Sequence, residues 1–270
     1  MDCIFINLDE ARDRRVALET NFKRFCPASW RLTRFPALTP HVQQVRDMGG
    51  ALRPAEKACF ASHRQIVRNV ADHGAPVLVL EDDAVFGPRS AQMIEQSVAS
   101  SDYDLLFLNI GLNRVSGMVE IFQIVQKLKQ EGRVFLRNVV DLPFFGASSY
   151  VISPQGFRPL AEALSAYPHP ADPYDFFLRR LILSQALRGR VLLPFPMSVS
   201  AQSDMSFVQT DEKQRIDHVW NLFRRILWVD GEVEGCRRDL AALETHLTPE
   251  AKACATIWAT MAQAPFRQGS

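Results

Sequence analysis

The sequence predicts an α/β protein in which helices flank a central sheet. Apolar runs that favour strands alternate with helical segments through about residue 200, and this alternation is typical of the fold class. The clearest apolar run, residues 77–80, leads directly into three carboxylates, Glu81, Asp82 and Asp83. A short apolar run with such a sharp polar break is typical of a buried strand in a parallel sheet. Open α/β sheets bind their ligands at the carboxyl ends of such strands.

Three adjacent carboxylates repel one another, and a bound cation removes that repulsion. Carboxylate oxygens are the preferred ligands of hard cations such as Mg²⁺ and Mn²⁺. Side chains alternate along an extended chain, so Glu81 and Asp83 are expected on one side and Asp82 on the other. The pattern therefore predicts a metal site at Asp83 and Glu81. The alternative is a solvent-exposed end of the strand with hydrated acids.

The other elements follow from local patterns of the same kind. Short apolar runs predict strands at residues 3–8, 30–38, 103–110, 134–140, 150–152 and 191–195. Apolar residues at helical spacing predict helices from near residue 11 and at residues 55–73, 88–100, 154–167 and 174–186. Residues 111–133 carry no strong motif and are expected to form an irregular excursion.

Two aspartates are predicted to cap helices. Asp9 precedes the first helix, and Asp172 stands before Pro173 at the start of the helix over residues 174–186. Aspartate at the N-cap followed by proline is a favoured helix start. Asp175 would then be the third residue of the helix, where the helix dipole keeps a carboxylate ionised.

Composition excludes several classes of protein. The chain has 270 residues, 47% of them hydrophobic, and a net charge of +1, so there is no basic field for nucleic acid. No apolar run approaches the roughly 20 residues of a membrane span, and the start lacks the pattern of a signal peptide. None of the five cysteines lies in a C-x-x-C pair, so neither a zinc site nor a disulfide framework is predicted. A cytoplasmic location is expected.

Two further groups of polar residues suggest a ligand. Arg12 and Arg15 lie in the first turns of the first helix, where cations oppose the helix dipole. A polyanion such as a diphosphate would explain them, and a solvated basic face is the alternative. Ser62 and His63 lie within the helix before the acidic strand, although a lone helical histidine is more often structural.

The sequence changes character near its end. From Asp211 onward the pattern predicts helices only, which gives a catalytic unit over residues 1–206 and a helical extension over residues 207–270. Residues 218–228 mix bulky apolar side chains with arginines. Such a stretch lies on a membrane surface or packs on the main domain, and both interpretations stay open.

Several segments, in this order, resemble glycosyltransferase family 25, the lipopolysaccharide and lipooligosaccharide sugar transferases related to collagen galactosyltransferases. The resemblance covers roughly residues 3–206. Alanines stand at positions 55 and 58, where the family usually has glycines. The matching pieces are residues 6–9 with Arg12, Arg14 and Arg15; residues 56–59 with Ser62 and His63; residues 78–83; residues 146–153; a later aspartate before a helix; and residues 202–206.

The resemblance implies a GT-A-like fold with a mixed, mostly parallel sheet flanked by helices. It implies inverting transfer of a sugar, most often galactose, from a UDP-sugar to a saccharide or lipid-linked saccharide acceptor. The product would be a cell-surface glycan such as lipooligosaccharide, made at the cytoplasmic face of the inner membrane. The altered positions 55 and 58 leave a second hypothesis, a nucleotide-sugar-binding module with altered catalysis. A third is a membrane-associated scaffold that acts through the C-terminal helices.

Site roles follow from this resemblance together with the chemistry of the residues. Inversion requires a general base for the acceptor hydroxyl, and the candidates are Asp175 and Asp172. Mn²⁺ or Mg²⁺ is expected at Asp83 and Glu81, although metal independence stays open. The second half of that site stays open, with Asp204 and Gln202 as the candidates. On the nucleotide-sugar side we expect Asn7, Leu8, Arg12, Arg15, Ser62, His63, Glu81 and Asp82, and on the acceptor side Gly146, Ala147, Tyr150 and Gln202.

Overall fold

The computed structural model describes residues 1–99, 102–112, 114–200 and 220–231 as a mixed α/β protein. The strands are β1 (Asp2–Asn7), β2 (Arg31–Pro36), β3 (Val77–Glu81), β4 (Ala84–Phe86), β5 (Leu105–Phe107), β6 (Gly111–Leu112), β7 (Phe135–Asn138), β8 (Phe144–Phe145), β9 (Ser149–Ile152), β10 (Gly189–Leu193) and β11 (Met197–Val199). The helices are α1 (Arg12–Phe25), α2 (Gln43–Arg46), α3 (Pro54–Asn69), α4 (Ser90–Val98), α5 (Val115–Glu131), α6 (Pro154–Ser165) and α7 (Tyr174–Leu183). Residues 220–227 are also helical.

The central sheet is mixed and mostly parallel, as predicted. Its seven strands lie in the order β2-β1-β3-β9-β5-β10-β7. Five of them run in one direction, whereas β9 and β7 run in the other. Because β9 is antiparallel between β3 and β5, the residues that precede it lie at the carboxyl end of β3. The register pairs Leu80 with Ser149, and the Glu81 amide donates to the Ser148 carbonyl at 2.8 Å.

Strand β3 lies at the centre of the core. The side chains of residues 77–80 are fully buried. They alternate between the two faces of the sheet, with Val77 and Val79 in one apolar cluster and Leu78 and Leu80 in the other. Alternate residues of a strand face opposite sides, so burial on both faces explains why this run is continuously apolar.

The described part of the C-terminal region packs into this same core. Leu222, Phe223, Ile226 and Leu227 are all buried there. The hypothesis that residues 218–228 lie on a membrane is therefore wrong for residues 222–227, because their apolar side chains are covered by protein. No helix within the described ranges is long and apolar enough to span a bilayer. The predicted boundary between residues 206 and 207 stays a prediction.

Three local predictions are wrong. Residues 115–131 form helix α5 instead of an irregular excursion. Asp9 does not cap α1, because its carboxylate pairs with Arg34 and the N-cap position is Ala11. Asp172 does not cap α7, because it pairs with Arg180 at 3.0 Å and Pro173 takes the N-cap position. In both pairs an arginine guanidinium binds the carboxylate that the backbone amides would otherwise have held.

Candidate active site

The three acids after β3 lie at the edge of the sheet where the carboxyl ends of β1 and β3 meet. Asp82 is held from β1 and α1: it accepts hydrogen bonds from Asn7 Nδ2 at 2.8 Å and from Arg14 Nη1 at 3.3 Å. Burial raises the pKa of Asp82, and the contacts with Asn7 and Arg14 oppose that rise. Asn7 also accepts from Arg34 Nε at 3.0 Å. The hydrogen bonds of Asp82 therefore connect the turn after β3 to β1 and α1.

Glu81 is partly exposed, with 38% of its side chain accessible. Its Oε1 atom lies 3.7 Å from His63 Nε2, which is longer than a hydrogen bond. Burial opposes the ionisation of Glu81, but His63, Arg224 and Arg14 outweigh it and lower its pKa. Glu81 is therefore an ionised carboxylate at neutral pH.

Asp83 has the most strongly raised pKa of the three acids. Its Oδ1 atom is buried and has no hydrogen-bond partner among the described residues. Burial, followed by the neighbouring charges of Glu81 and Asp82, raises the pKa of Asp83 to about 7. A buried oxygen without a donor, next to two further carboxylates, is the arrangement that a hard cation stabilises. The residues present fit the predicted Mn²⁺ or Mg²⁺.

His63 and Tyr150 lie behind the acids in a buried aromatic group. The ring of His63 stacks on Tyr174, with 4.2 Å between centroids and an interplanar angle of 7°. Its Nδ1 atom lies 3.0 Å from the Tyr150 hydroxyl, which lies 3.0 Å from the Tyr174 hydroxyl. Tyr150 is fully buried, so it positions His63 instead of forming an open acceptor surface. Sequence reasoning did not find the role of Tyr174.

A second cluster lies beside the acids and includes a cysteine. Cys59 is one helical turn before His63, and the ligand atoms of Cys59, His63 and Glu81 all lie within 4.8 Å of one another. The cysteine spacing predicted no zinc site, whereas this geometry offers a candidate set of metal ligands. The missed signal was the spacing of four residues between Cys59 and His63, which places both side chains on one face of a helix.

Gly146, which the sequence predicts on the acceptor side, is hydrogen-bonded to Asp175. Its backbone has a φ of +88°, and its amide donates to Asp175 Oδ2 at 2.8 Å. Asp175 Oδ1 accepts from the Phe176 amide at 3.0 Å. Burial raises the pKa of Asp175 although the amides of Gly146 and Phe176 lower it. A Cβ atom at Gly146 would lie 2.3 Å from Arg224 Nη2.

Arg224 is the candidate site residue that the sequence analysis missed most clearly. Only 8% of its surface is accessible, and its positive charge lowers the pKa of both Glu81 and Asp83. It comes from the segment 220–227, more than 140 positions beyond the acids in the chain. A local motif gives no signal for such a contact.

Several predicted site residues lie elsewhere. Arg12 and Arg15 are on the exposed face of α1, where Arg15 pairs with Glu19 at 2.8 Å, and Arg14 reaches the acids instead. The Ser62 hydroxyl is buried and joins the Ala58 carbonyl to the Leu38 amide.

The remaining predicted residues have these positions. Leu8 accepts a hydrogen bond from the Ala11 amide through its carbonyl at 3.1 Å. Ala147 is buried next to Gly146. Asp172 is partly exposed and pairs with Arg180 at 3.0 Å. Gln202 and Asp204 lie outside the described residues.

The fold and the acidic edge together define the class of protein. It is an α/β protein with a carboxylate-rich candidate ligand site at the carboxyl end of a central strand. The family model described as glycosyltransferase family 25 (LPS biosynthesis protein) matches residues 1–175, more than half of the chain. The chain therefore belongs to glycosyltransferase family 25. The predicted family is confirmed, and the predicted mixed, mostly parallel GT-A-like architecture agrees with the observed sheet.

Comparison with other proteins adds little beyond the family. Among solved structures, the apo form of mouse xyloside xylosyltransferase 1 matches with 12% sequence identity and a TM-score of 0.33. The match covers 70% of this chain and 63% of that chain, less than two thirds of its length. A likeness at this TM-score carries no argument about function. No curated protein sequence matches the chain.

Proposed function

We propose that the protein is an inverting glycosyltransferase that moves a sugar from a UDP-sugar to a hydroxyl of a saccharide or lipid-linked saccharide. Galactose is the first donor sugar to test, and a cell-surface glycan such as lipooligosaccharide is the proposed product. The observation that carries this proposal is the buried Oδ1 atom of Asp83, which lacks a hydrogen-bond partner within the described part of the chain. Family membership supports the reaction class.

Asp83 and Glu81 would hold Mn²⁺ or Mg²⁺ at the end of β3. A hard divalent cation supplies Lewis-acid neutralisation of a leaving diphosphate when it is bound. Asp82, fixed by Asn7 and Arg14, keeps the turn after β3 in place. The pKa of Asp83, raised to about 7 mainly by burial, means that its proton must leave before a cation binds near neutral pH.

Two arginines are proposed to face the diphosphate of the donor. Arg14 and Arg224 are the cations that act on the acids, and they replace Arg12 and Arg15 in the role predicted from the sequence. A guanidinium offers planar donors that match phosphate oxygens. When the donor is absent, the same two charges lower the repulsion among the carboxylates.

Asp175 is proposed as the general base. Hydrogen bonds from the amides of Gly146 and Phe176 fix its carboxylate at the edge of the site. Burial raises its pKa, and a raised pKa makes a carboxylate a better proton acceptor. Asp172 is the weaker candidate, because its carboxylate is 41% exposed and already paired with Arg180 at 3.0 Å.

The test is UDP release from a panel of UDP-sugars, with and without saccharide acceptors. We expect release that requires Asp83, falls in EDTA and returns with Mn²⁺. Asp83→Asn serves as the site variant, and Arg158→Gln, whose exposed ion pair with Glu162 lies on α6, serves as the matched control. UDP binding without release from any donor would instead support a binding module. Full activity of Asp83→Asn would contradict the proposed site.

The cellular position is also a proposal. We propose that the enzyme works at the cytoplasmic face of the inner membrane, where a lipid-linked acceptor would be available. The apolar side chains of Leu222, Phe223, Ile226 and Leu227 do not provide a membrane contact, because they are buried in the core. Cell fractionation with an active tagged chain tests the location.

A further inference from the structure

Three metal-binding side chains converge beside the acidic edge from two elements. Cys59 and His63 lie on consecutive turns of α3, and Glu81 ends β3. Their ligand atoms all lie within 4.8 Å of one another, and the closest given pair is His63 Nε2 and Glu81 Oε1 at 3.7 Å. Sulfur and imidazole ligands distinguish this cluster from the all-carboxylate group that includes Asp83.

His63 is already oriented as a metal ligand. Its ring is 1% accessible and fixed by stacking on Tyr174. The Nδ1 atom is engaged by the Tyr150 hydroxyl at 3.0 Å. The Nε2 atom is buried, faces Glu81 and has no hydrogen-bond partner in the described ranges. Histidines that bind metals typically hydrogen-bond through the other ring nitrogen in this way.

We propose that Cys59, His63 and Glu81 form a binding site for a thiolate-preferring divalent cation of the zinc class. Thiolate and imidazole select Zn²⁺ over Mg²⁺ and Mn²⁺. Zinc bonds of about 2.0–2.3 Å in tetrahedral geometry place neighbouring ligand atoms about 3.3–3.8 Å apart. Since the ligand atoms lie within 4.8 Å of one another, reaching that geometry needs a contraction of at most about 1.5 Å. The partly exposed Glu81 side chain provides the route from solvent.

Binding exchanges a proton for the metal. Burial, followed by the charges of Glu81, Asp175 and Glu56, raises the pKa of the Cys59 thiol well above its ordinary value. Without metal the sulfur is therefore protonated. Forming the sulfur–metal bond breaks the S–H bond and releases that proton to solvent, so binding weakens as the pH falls.

The site has a consequence for the acidic edge. Glu81 belongs to both proposed ligand sets, so a cation bound by Cys59, His63 and Glu81 leaves Glu81 unavailable as a ligand beside Asp83. The bound cation also connects α3 to β3. The inference does not rest on the proposed reaction, since the three ligands and their geometry are independent of what the enzyme transfers.

The direct test is titration of the metal-free full chain with Co²⁺ alone, followed by absorbance in the near ultraviolet. A thiolate ligand gives a sulfur-to-cobalt charge-transfer band. We expect one equivalent of Co²⁺ to produce this band and Zn²⁺ to remove it. Cys59→Ser should lose the band, whereas Cys26→Ser, a partly exposed cysteine outside the cluster, should keep it. Asp83→Asn should also keep it.

Tyr150→Phe provides a second measurement that keeps the buried ring in place. It removes the hydroxyl that orients His63, so we expect Co²⁺ affinity to fall about 10–100-fold. Circular dichroism checks that each variant folds. If Cys59→Ser does not fold, the Co²⁺ affinity of Tyr150→Phe decides the outcome. Absence of the band in the wild type, or an unchanged band in Cys59→Ser, would overturn the inference. Failure of UDP release with the band intact would overturn only the proposed function.

Discussion

Replacing Asp83 by asparagine is expected to stabilise the folded chain and to remove its transfer activity. Burial and the neighbouring charges of Glu81 and Asp82 raise the pKa of Asp83 from 3.8 to about 7. Asparagine keeps the size of the side chain and removes the charge that the fold disfavours. Because asparagine has the size of aspartate and no charge, this substitution separates the effect of the charge on stability from its effect on cation binding.

The expected magnitude follows from linkage. A rise of about three pKa units at about 1.36 kcal/mol each gives a cost of about 4 kcal/mol for the ionised group. Below pH 3.8 the carboxyl is protonated in both states, so asparagine brings no gain. Between pH 3.8 and about 7 the unfolded chain ionises while the folded chain holds its proton, so the gain grows. Above about pH 7 the full gain is present.

Denaturant unfolding in the presence of a chelator measures this gain. At about pH 8 the free energy of unfolding of Asp83→Asn should exceed that of the wild type by up to about 4 kcal/mol, and at about pH 4 the two should agree. Asp82→Asn is the comparison variant: burial also raises the pKa of Asp82, but the hydrogen bonds from Asn7 and Arg14 oppose that rise, so its gain should be smaller than that of Asp83→Asn. Equal stability of Asp83→Asn and wild type at the higher pH would refute the reasoning.

Three further predictions concern the walls of the site. Arg224→Gln should lower the affinity for UDP about 10–100-fold by loss of charged hydrogen bonds, with the affinity for uridine unchanged in calorimetry. Gly146→Ala should destabilise the fold by about 1–3 kcal/mol, because φ is +88° and the new Cβ meets Arg224. Gly132→Ala is the control: its φ is +62° and its Cβ would lie in open space, so it should lower the free energy of unfolding by less. Asp175→Asn should lower kcat about 10²–10⁴-fold. An equal loss of kcat in Asp172→Asn would contradict the assignment of Asp175 as the general base.

The sequence predicted the centre of the fold well because burial on both faces leaves a clear pattern. Strand β3 and the acids after it were predicted at their observed positions, since a fully buried strand must be apolar throughout. Helix α5 was missed although its buried residues Met118, Ile121, Phe122 and Val125 have helical spacing. It begins after Arg114 without a side-chain cap and has Gly117 in its first turn, so its usual start signals are absent.

The site was predicted only as far as local patterns reach. Consecutive arginines point about 100° apart around a helix, and the observed rotation of α1 brings Arg14, not Arg12 or Arg15, to Asp82. The antiparallel direction of β9 and the approach of Arg224 depend on how distant segments pack. Neither leaves a signal in a short stretch of sequence.

The most direct test of the central claim is calorimetric titration of UDP into the full chain, with Mn²⁺ or with EDTA. We predict UDP binding that requires the cation and is lost in Asp83→Asn, while the folded state of that variant is retained. Equal UDP affinity of the wild type and Asp83→Asn, with and without cation, would contradict the claim that the carboxyl end of β3 is the donor site.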